Sequence, residues 1–172
     1  TVAVLVWYFG KDGFSHRNSP TPGLAFSLSV DGRALDTDNA WRVCRHPAYY
    51  LPEGEKPNYR LPESNIGFDA TKDIAFHRPD YDDGGWSKAR RVSLEEAGWH
   101  QLVDRSIPQW KDYGLKTYTR TERQGNQILA YLPYNAQVTP YLKVKAAVGR
   151  KIDIRTDDYR GGSATNVFAE YT

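Results

Sequence analysis

The sequence predicts an all-β fold, an antiparallel β-sandwich or jelly roll. Short segments such as residues 24–30 and 115–120 alternate between apolar and polar side chains, the pattern of half-buried strands. Gly, Pro and Asp separate these segments at short intervals, as in all-β domains. No segment shows helical periodicity over a useful length, so all three observations favour strands.

The first half of the chain reads as a β-meander. Residues 2–9 form an apolar run long enough for one buried strand. Residues 24–30 place Leu24, Phe26, Leu28 and Val30 on one face, and Asp31-Gly32 follows as a hairpin turn. The chain then returns through residues 33–39, and the next strand is predicted at 40–44.

The second half continues the β pattern. A short strand is predicted around Phe68, and residues 87–97 fit either a helical turn or a strand at 89–94. Further strands are predicted at 115–120, 128–132, 141–146 and 151–155, with a last one after Gly161-Gly162.

Size and charge bound the possible functions. At 172 residues we expect a single domain, residues 1–172. The chain contains no Met and both ends lie in strand-like runs, so we expect a fragment of a larger multidomain protein.

Lys and Arg total 23 against 21 Asp and Glu, which does not indicate a nucleic-acid partner. No apolar run reaches the roughly 20 residues of a membrane-spanning helix, so no membrane partner is expected. Cys44, the only cysteine, is predicted to be a small buried residue.

Motifs that would signal catalysis are missing from the sequence. There is no phosphate-binding glycine loop, no His and Cys spacing for zinc, and no Gly-x-Ser-x-Gly elbow. Carboxylates are plentiful and two of them could in principle cleave a glycosidic bond, but any sequence rich in Asp and Glu offers such pairs. We therefore predict no catalytic residue and no cofactor.

Residues 80–83 place three carboxylates in four positions, those of Asp80, Asp82 and Asp83. Asp side chains in such turns accept hydrogen bonds from their own backbone. Carboxylate oxygens are also ligands that Ca²⁺ prefers, although the spacing is not that of an EF-hand. Ca²⁺ therefore stays open as an alternative here.

A long loop at residues 46–62 contains four prolines, which prevent ladder pairing. A long loop in a compact domain is usually functional or clamped onto a surface. Its aromatic and basic residues form either a ligand rim or the ties that hold the loop; they are Tyr49, Tyr50, Tyr59 and Arg60.

Several pieces of the sequence, in their order, resemble one known family. They are residues 7–16 (WYFGKDGFSH), 41–43 (WRV), Glu63 with 68–70 (FDA), 82–86 (DDGGW) and 102–108 (LVDRSIP). With these pieces the chain resembles a non-catalytic β-sandwich domain from the N-terminal half of bacterial α-L-rhamnosidases of glycoside hydrolase family 78. Thr71 stands where that family usually has Arg.

The resemblance implies a galactose-binding-domain-like jelly roll that serves a glycosidase. The parent enzyme would release terminal α-L-rhamnose from glycans or glycosides, using a separate (α/α)6 barrel for catalysis. The implied partners are an L-rhamnose-containing carbohydrate and the barrel of the same polypeptide. The implied location is extracytoplasmic, either periplasmic or secreted.

If the domain contacts sugar, stacking on Tyr or Trp rings and hydrogen bonds from charged side chains would provide the binding. Glu63 and Arg105 could instead form an ion pair that fixes the loops. A purely structural spacer, or the sugar-binding jelly roll of a β-galactosidase- or β-glucuronidase-like enzyme, are the alternative functions. The candidate sugar-binding residues are Tyr49, Tyr59, Arg60, Glu63, Trp86 and Trp110.

Overall fold

The computed structural model confirms the all-β class. It describes residues 1–12, 17–52, 66–99, 101–134, 136, 138–155 and 168–172. Over these residues the regular structure is ten short strands and one turn of 3₁₀ helix, Ala70–Lys72. The strands are β1 (Ser27–Val30), β2 (Arg33–Asp36), β3 (Arg42–Val43), β4 (Tyr49–Tyr50), β5 (Ile66–Phe68), β6 (Ser87–Lys88), β7 (Arg120–Gln124), β8 (Gln127–Tyr131), β9 (Ile152–Arg155) and β10 (Phe168–Tyr171).

The chain forms two compact units, residues 1–102 with 147–172 and residues 103–146. The first unit contains the hairpin β1–β2, the pair β3–β6 and a four-stranded sheet in the order β4-β5-β10-β9. Within that sheet β5 and β10 are parallel, and the other pairs are antiparallel. The second unit contains the hairpin β7–β8.

The β1–β2 hairpin follows from its turn residues. Asp31 and Gly32 both have positive φ, 50° and 75°, which a two-residue turn with the twist of a β-hairpin requires. The register pairs Leu28 with Leu35, so the apolar residues of the two strands share one face. The predicted Asp-Gly turn is therefore confirmed.

Residues 17–23 pack closely against the turn before Trp99. The amide of Gly98 donates to the carbonyl of Glu95 at 3.0 Å, and Gly98 has a φ of +72°. A Cβ on Gly98 would lie 2.6 Å from Pro20 Cδ, while the ring of Trp99 lies against Gly23. Glycines at 23 and 98 thus allow the two segments to approach closely.

Four local predictions differ from the structure. Residues 2–9 and 141–146 belong to no strand, because neither run has a ladder partner among the described residues. Of the strand predicted at 115–120, only Arg120 lies in a strand, as the first residue of β7. Cys44 is exposed rather than buried, since it follows the two-residue strand β3 and leaves the sheet there. Partial desolvation nevertheless raises the pKa of the Cys44 thiol.

Candidate functional site

A cluster of aromatic rings surrounds Tyr49 on β4, in the first unit. The Tyr49 ring makes edge contacts with Phe68 at 4.9 Å, His46 at 5.0 Å and Trp7 at 5.4 Å between ring centroids. Edge-to-face pairs of this kind contribute roughly 0.5–1.5 kcal/mol each beyond the burial of their area. Tyr49 thus ties the start of the 46–62 loop to β5. Sugar binding by Tyr49 stays a prediction.

His46 anchors the same cluster through both ring nitrogens. The amide of the fully buried Ala48 donates to His46 Nδ1 at 3.2 Å. His46 Nε2 lies 3.5 Å from Asp73 Oδ1, and only 11% of the His46 side chain is exposed. The bond from Ala48 fixes the tautomer with hydrogen on Nε2, which then points to the carboxylate. His46 therefore joins the 46–50 turn to residues 70–76.

The sheet closes one side of the ring cluster. Phe68 on β5 stacks on Tyr171 of β10 at 5.6 Å with an interplanar angle of 18°. Tyr50 pairs with Gly67 across β4 and β5, and its ring covers the space that a Cβ at Gly67 would need. A ring that covers a strand glycine supplies the packing that the glycine lacks.

Asp69 caps the 3₁₀ turn that follows β5. Its Oδ1 accepts hydrogen bonds from the Thr71 hydroxyl at 2.6 Å and the Thr71 amide at 3.0 Å, and Lys72 Nζ lies 2.9 Å from Oδ2. These bonds lower the pKa of Asp69, and the hydrogen bond from the Thr71 hydroxyl has the largest effect.

We expect Asp69→Asn to destabilise the protein at neutral pH and to reduce its acid sensitivity. Because the folded-state pKa is lowered, the ionised carboxylate stabilises the fold above the ordinary value of 3.8. That contribution is lost as the pH falls through the folded-state pKa, so the two proteins should converge in acid. Urea unfolding of both proteins over a pH series checks this; a stability difference that does not change with pH would contradict it.

Trp86 ends the acidic turn in the first unit and is half-buried. Its ring contacts Tyr81 at 5.5 Å. The Asp82 carboxylate accepts from the Gly84 amide at 2.8 Å, and the Trp86 amide donates to the Asp83 carbonyl at 2.9 Å. The predicted capping of the turn by an Asp side chain is thus confirmed for Asp82. No group of three or more His, Cys, Asp or Glu side chains among the described residues is arranged to hold a metal ion.

Arg42 on β3 clamps this acidic turn. Its Nη1 donates to the carbonyls of Gly84 at 3.0 Å and Trp86 at 3.4 Å, and its Nε lies 3.6 Å from Asp83 Oδ1. A guanidinium can serve several acceptors at once because its five N–H groups form a planar fork. The turn is therefore tied to β3 by side-chain bonds in addition to the β3–β6 ladder.

We expect Arg42→Ala to lower the free energy of unfolding by about 1–2 kcal/mol, the value of two lost hydrogen bonds and a partly exposed ion pair. The amide of Trp86 should also exchange hydrogen faster. Arg33→Ala is the matched control, because the Arg33 side chain has no hydrogen bond or ion pair among the described residues. It should change stability by less than about 0.5 kcal/mol. Equal effects of the two substitutions would contradict the clamp.

Trp110 lies in the second unit and is 85% exposed. Within the described part of the chain its ring makes no aromatic contact and its indole N–H no hydrogen bond. Tyr113 is 73% exposed three residues later. Such rings offer a flat apolar face to a ligand, and Trp and Tyr are enriched at protein interfaces.

The structure describes three of the six predicted residues, Tyr49, Trp86 and Trp110. Tyr49 and Trp86 lie in the first unit but make no ring contact with each other, and Trp110 lies in the second unit. The other three candidates lie outside the described residues; they are Tyr59, Arg60 and Glu63. The predicted ion pair between Glu63 and Arg105 is therefore outside the described part of the chain as well. Arg105 itself donates from Nε to the carbonyl of Ile107 at 2.7 Å.

Sequence reasoning missed a polar cluster on the β7–β8 hairpin. Arg120 lies over the ring of Tyr131, its Cζ 4.1 Å from the ring centroid. Arg120 Nη1 is 3.2 Å from Glu122 Oε1, and the Tyr131 hydroxyl donates to Glu122 Oε2 at 3.3 Å. The available signal was the hairpin itself, because its register makes Arg120 and Tyr131 cross-strand partners.

Comparison with known proteins gave no matching family model, no matching curated protein and no matching solved structure. The resemblance to α-L-rhamnosidase domains therefore stays a prediction. Among the described residues, no helix has the length and apolar character needed to cross a membrane.

Proposed function

We propose that this chain is a non-catalytic accessory domain of an α-L-rhamnosidase-like glycoside hydrolase, with a jelly-roll architecture. Its role is to pack on the catalytic part of the enzyme and frame the substrate cleft. Sequence pieces such as residues 82–86 and 102–108 support the family. The all-β structure and the absence of catalytic motifs from the sequence are consistent with an accessory role.

The main support for the packing role is the large number of apolar side chains that are exposed to solvent. Among the described residues only Ala48 and Ala97 are fully buried hydrophobic residues, and no large side chain is fully buried. Burial of one Val, Leu or Ile stabilises a protein by roughly 1.5–3 kcal/mol, so exposure on this scale forgoes a large stabilisation. Apolar surface exposed on this scale favours an interaction site. Large apolar side chains that are more than half exposed in the second unit include Val103, Ile107, Leu115, Ile128, Tyr141 and Leu142.

The occupant that fits these surfaces is the rest of a glycosidase polypeptide. Intramolecular docking of an apolar face needs no separate association step, because the linker supplies a high effective concentration. A spacer of the kind considered above would dock in the same way but would contact no substrate.

Assays of rhamnose release test the function. We expect the purified chain to release no L-rhamnose from p-nitrophenyl α-L-rhamnopyranoside. We expect the longer polypeptide to do so, and deletion of residues 1–172 from it to lower its thermal stability. Rhamnose release by the chain alone would contradict the proposal, as would an unchanged melting temperature after the deletion.

The exposed ring of Trp110 supports sugar contact as a second role. We expect Trp110→Ala to weaken binding of rhamnosylated oligosaccharides about tenfold, because stacking on one ring contributes on the order of 1–2 kcal/mol. Isothermal titration calorimetry measures this, and Trp41→Phe is the control. The Trp41 indole donates to the carbonyl of Asp36 at 3.0 Å and its ring packs on Phe26. Equal affinity of the Trp110→Ala variant and the parent chain would remove Trp110 from the sugar contact.

A further inference from the structure

The polar cluster on the β7–β8 hairpin is the feature that the accessory role does not explain. Its members are Arg120, Glu122 and Tyr131, and they project from one face because Arg120 and Tyr131 are directly paired. Leu129 stands opposite Glu122 on that face and adds an apolar neighbour. All four side chains are accessible; Glu122 and Tyr131 are exposed by 39% and 37%.

The contacts hold the three polar side chains in fixed orientations. Glu122 uses each carboxylate oxygen for a different partner, Oε1 for Arg120 and Oε2 for the Tyr131 hydroxyl. The guanidinium lies on the face of the Tyr131 ring, which restricts its rotation. Immobilising a long side chain normally costs conformational entropy on binding, and here part of that cost is already met in the folded protein.

Hydrogen-bonding capacity remains after these contacts. A guanidinium offers five N–H donors and a carboxylate about four acceptor positions. Within the described part of the chain, Arg120 has one ion-pair partner and Glu122 has two partners. Donors and acceptors are therefore left side by side, next to an aromatic edge and an aliphatic side chain.

The charge of the cluster selects among ligand classes. The charges of Arg120 and Glu122 cancel. An anion that approaches the guanidinium is therefore repelled by the neighbouring carboxylate, and a cation that approaches the carboxylate is repelled by the guanidinium. A neutral polyhydroxylated molecule meets neither penalty, because each hydroxyl can donate to Glu122 or accept from Arg120. Its C–H groups can contact Leu129 and Tyr131.

We propose that Arg120, Glu122 and Tyr131 form a binding site for a neutral saccharide, recognised through adjacent hydroxyl groups. This site rests on the proposed function, since it gives the accessory domain a sugar contact within the second unit. None of its three residues is among the six that the sequence predicted.

An NMR titration of the ¹⁵N-labelled chain with methyl α-L-rhamnopyranoside tests the site. We expect saturable shifts of the amides of residues 120–122 and 129–131, with a Kd on the order of 1 mM, a value common for weakly held small ligands. Arg120→Lys should raise that Kd about tenfold, because Lys lacks the planar fork. Glu122→Gln should also raise it about tenfold, while improving binding of galacturonate, an anionic sugar that the carboxylate repels in the parent chain.

Thr121→Ala is the matched control, because Thr121 lies on the opposite face of β7 and should leave the Kd unchanged. The conservative substitutions keep the hairpin, which its retained amide spectrum would verify. Absence of saturable shifts, shifts confined to other residues, or equal Kd values for parent and Glu122→Gln would overturn the site. Each of these results would leave packing on the catalytic part intact, whereas rhamnose release by the chain alone would overturn the proposed function first.

Discussion

Phe68→Ala is expected to lower the free energy of unfolding by about 2–4 kcal/mol, somewhat below the loss for a fully buried ring because Phe68 is half-buried. Phe68 connects three partners: it stacks on Tyr171, meets the edge of Tyr49 and lies 6.2 Å from the ring of His46. Its removal separates β10 from the 46–50 turn and leaves a cavity between them. Urea unfolding followed by circular dichroism measures the loss.

Phe68→Leu is the control for this substitution. Leucine fills much of the same volume but lacks the ring contacts, so its cost should be below about 1.5 kcal/mol. The amides of Asp69 and Thr172 report the local effect, since Asp69 N donates to Ala48 O and Thr172 N to Phe68 O. A loss below about 1 kcal/mol for Phe68→Ala would show that the ring cluster does not hold the sheet.

Gly98→Ala should also lower the free energy of unfolding strongly, by about 2–5 kcal/mol. The left-handed backbone at a φ of +72° costs an alanine about 1–2 kcal/mol. Contact of the new Cβ with Pro20, 2.6 Å from its Cδ, adds about 1–3 kcal/mol of overpacking because a proline ring cannot rotate away. Thermal unfolding of the variant measures the total.

Gly32→Ala separates the two causes. Gly32 has nearly the same φ, +75°, and nothing lies within 4 Å of the position that a Cβ would take. Its cost should therefore be only that of the left-handed backbone, about 1–2 kcal/mol. If Gly98→Ala and Gly32→Ala cost the same, the close approach of residues 17–23 to the turn before Trp99 contributes nothing to stability.

Local features of the fold could be predicted where neighbouring residues determine them. The Asp31-Gly32 turn fixes its own hairpin because both residues tolerate positive φ. Strands near residues 128–132 and 151–155 were predicted from apolar pattern and appear as β8 and β9, shifted at their ends by one residue. These elements depend on contacts that are close in sequence.

Features that depend on distant partners could not be predicted. Residues 2–9 have the composition of a strand, but a strand exists only where a second segment offers its backbone, and none is present among the described residues. Strands β5 and β10 pair in parallel, with Phe68 opposite Tyr171, about a hundred residues later in the chain. No local sequence pattern encodes such a pairing. The same holds for Arg42, whose acceptors on the acidic turn lie 42 and 44 residues away.

Residues of a binding site are harder to predict from the sequence than strands and turns are. Aromatic residues can serve as core anchors or as ligand platforms, and the sequence alone does not distinguish them. Tyr49 is enclosed by three rings, whereas Trp110 stands in solvent, a difference that only tertiary structure gives. The Arg120 cluster depends on hairpin register, which fixes the face that each side chain occupies.

We propose that the exposed apolar surface of this chain packs on the catalytic part of a glycosidase. The fluorescence of 1-anilinonaphthalene-8-sulfonate, which reports accessible apolar surface, can detect this packing. We predict strong emission with the purified chain, falling to a low plateau at one equivalent of the helical catalytic domain that the proposal assigns to the same polypeptide. Weak emission with the chain alone, or emission that excess catalytic domain leaves unchanged, would contradict the claim.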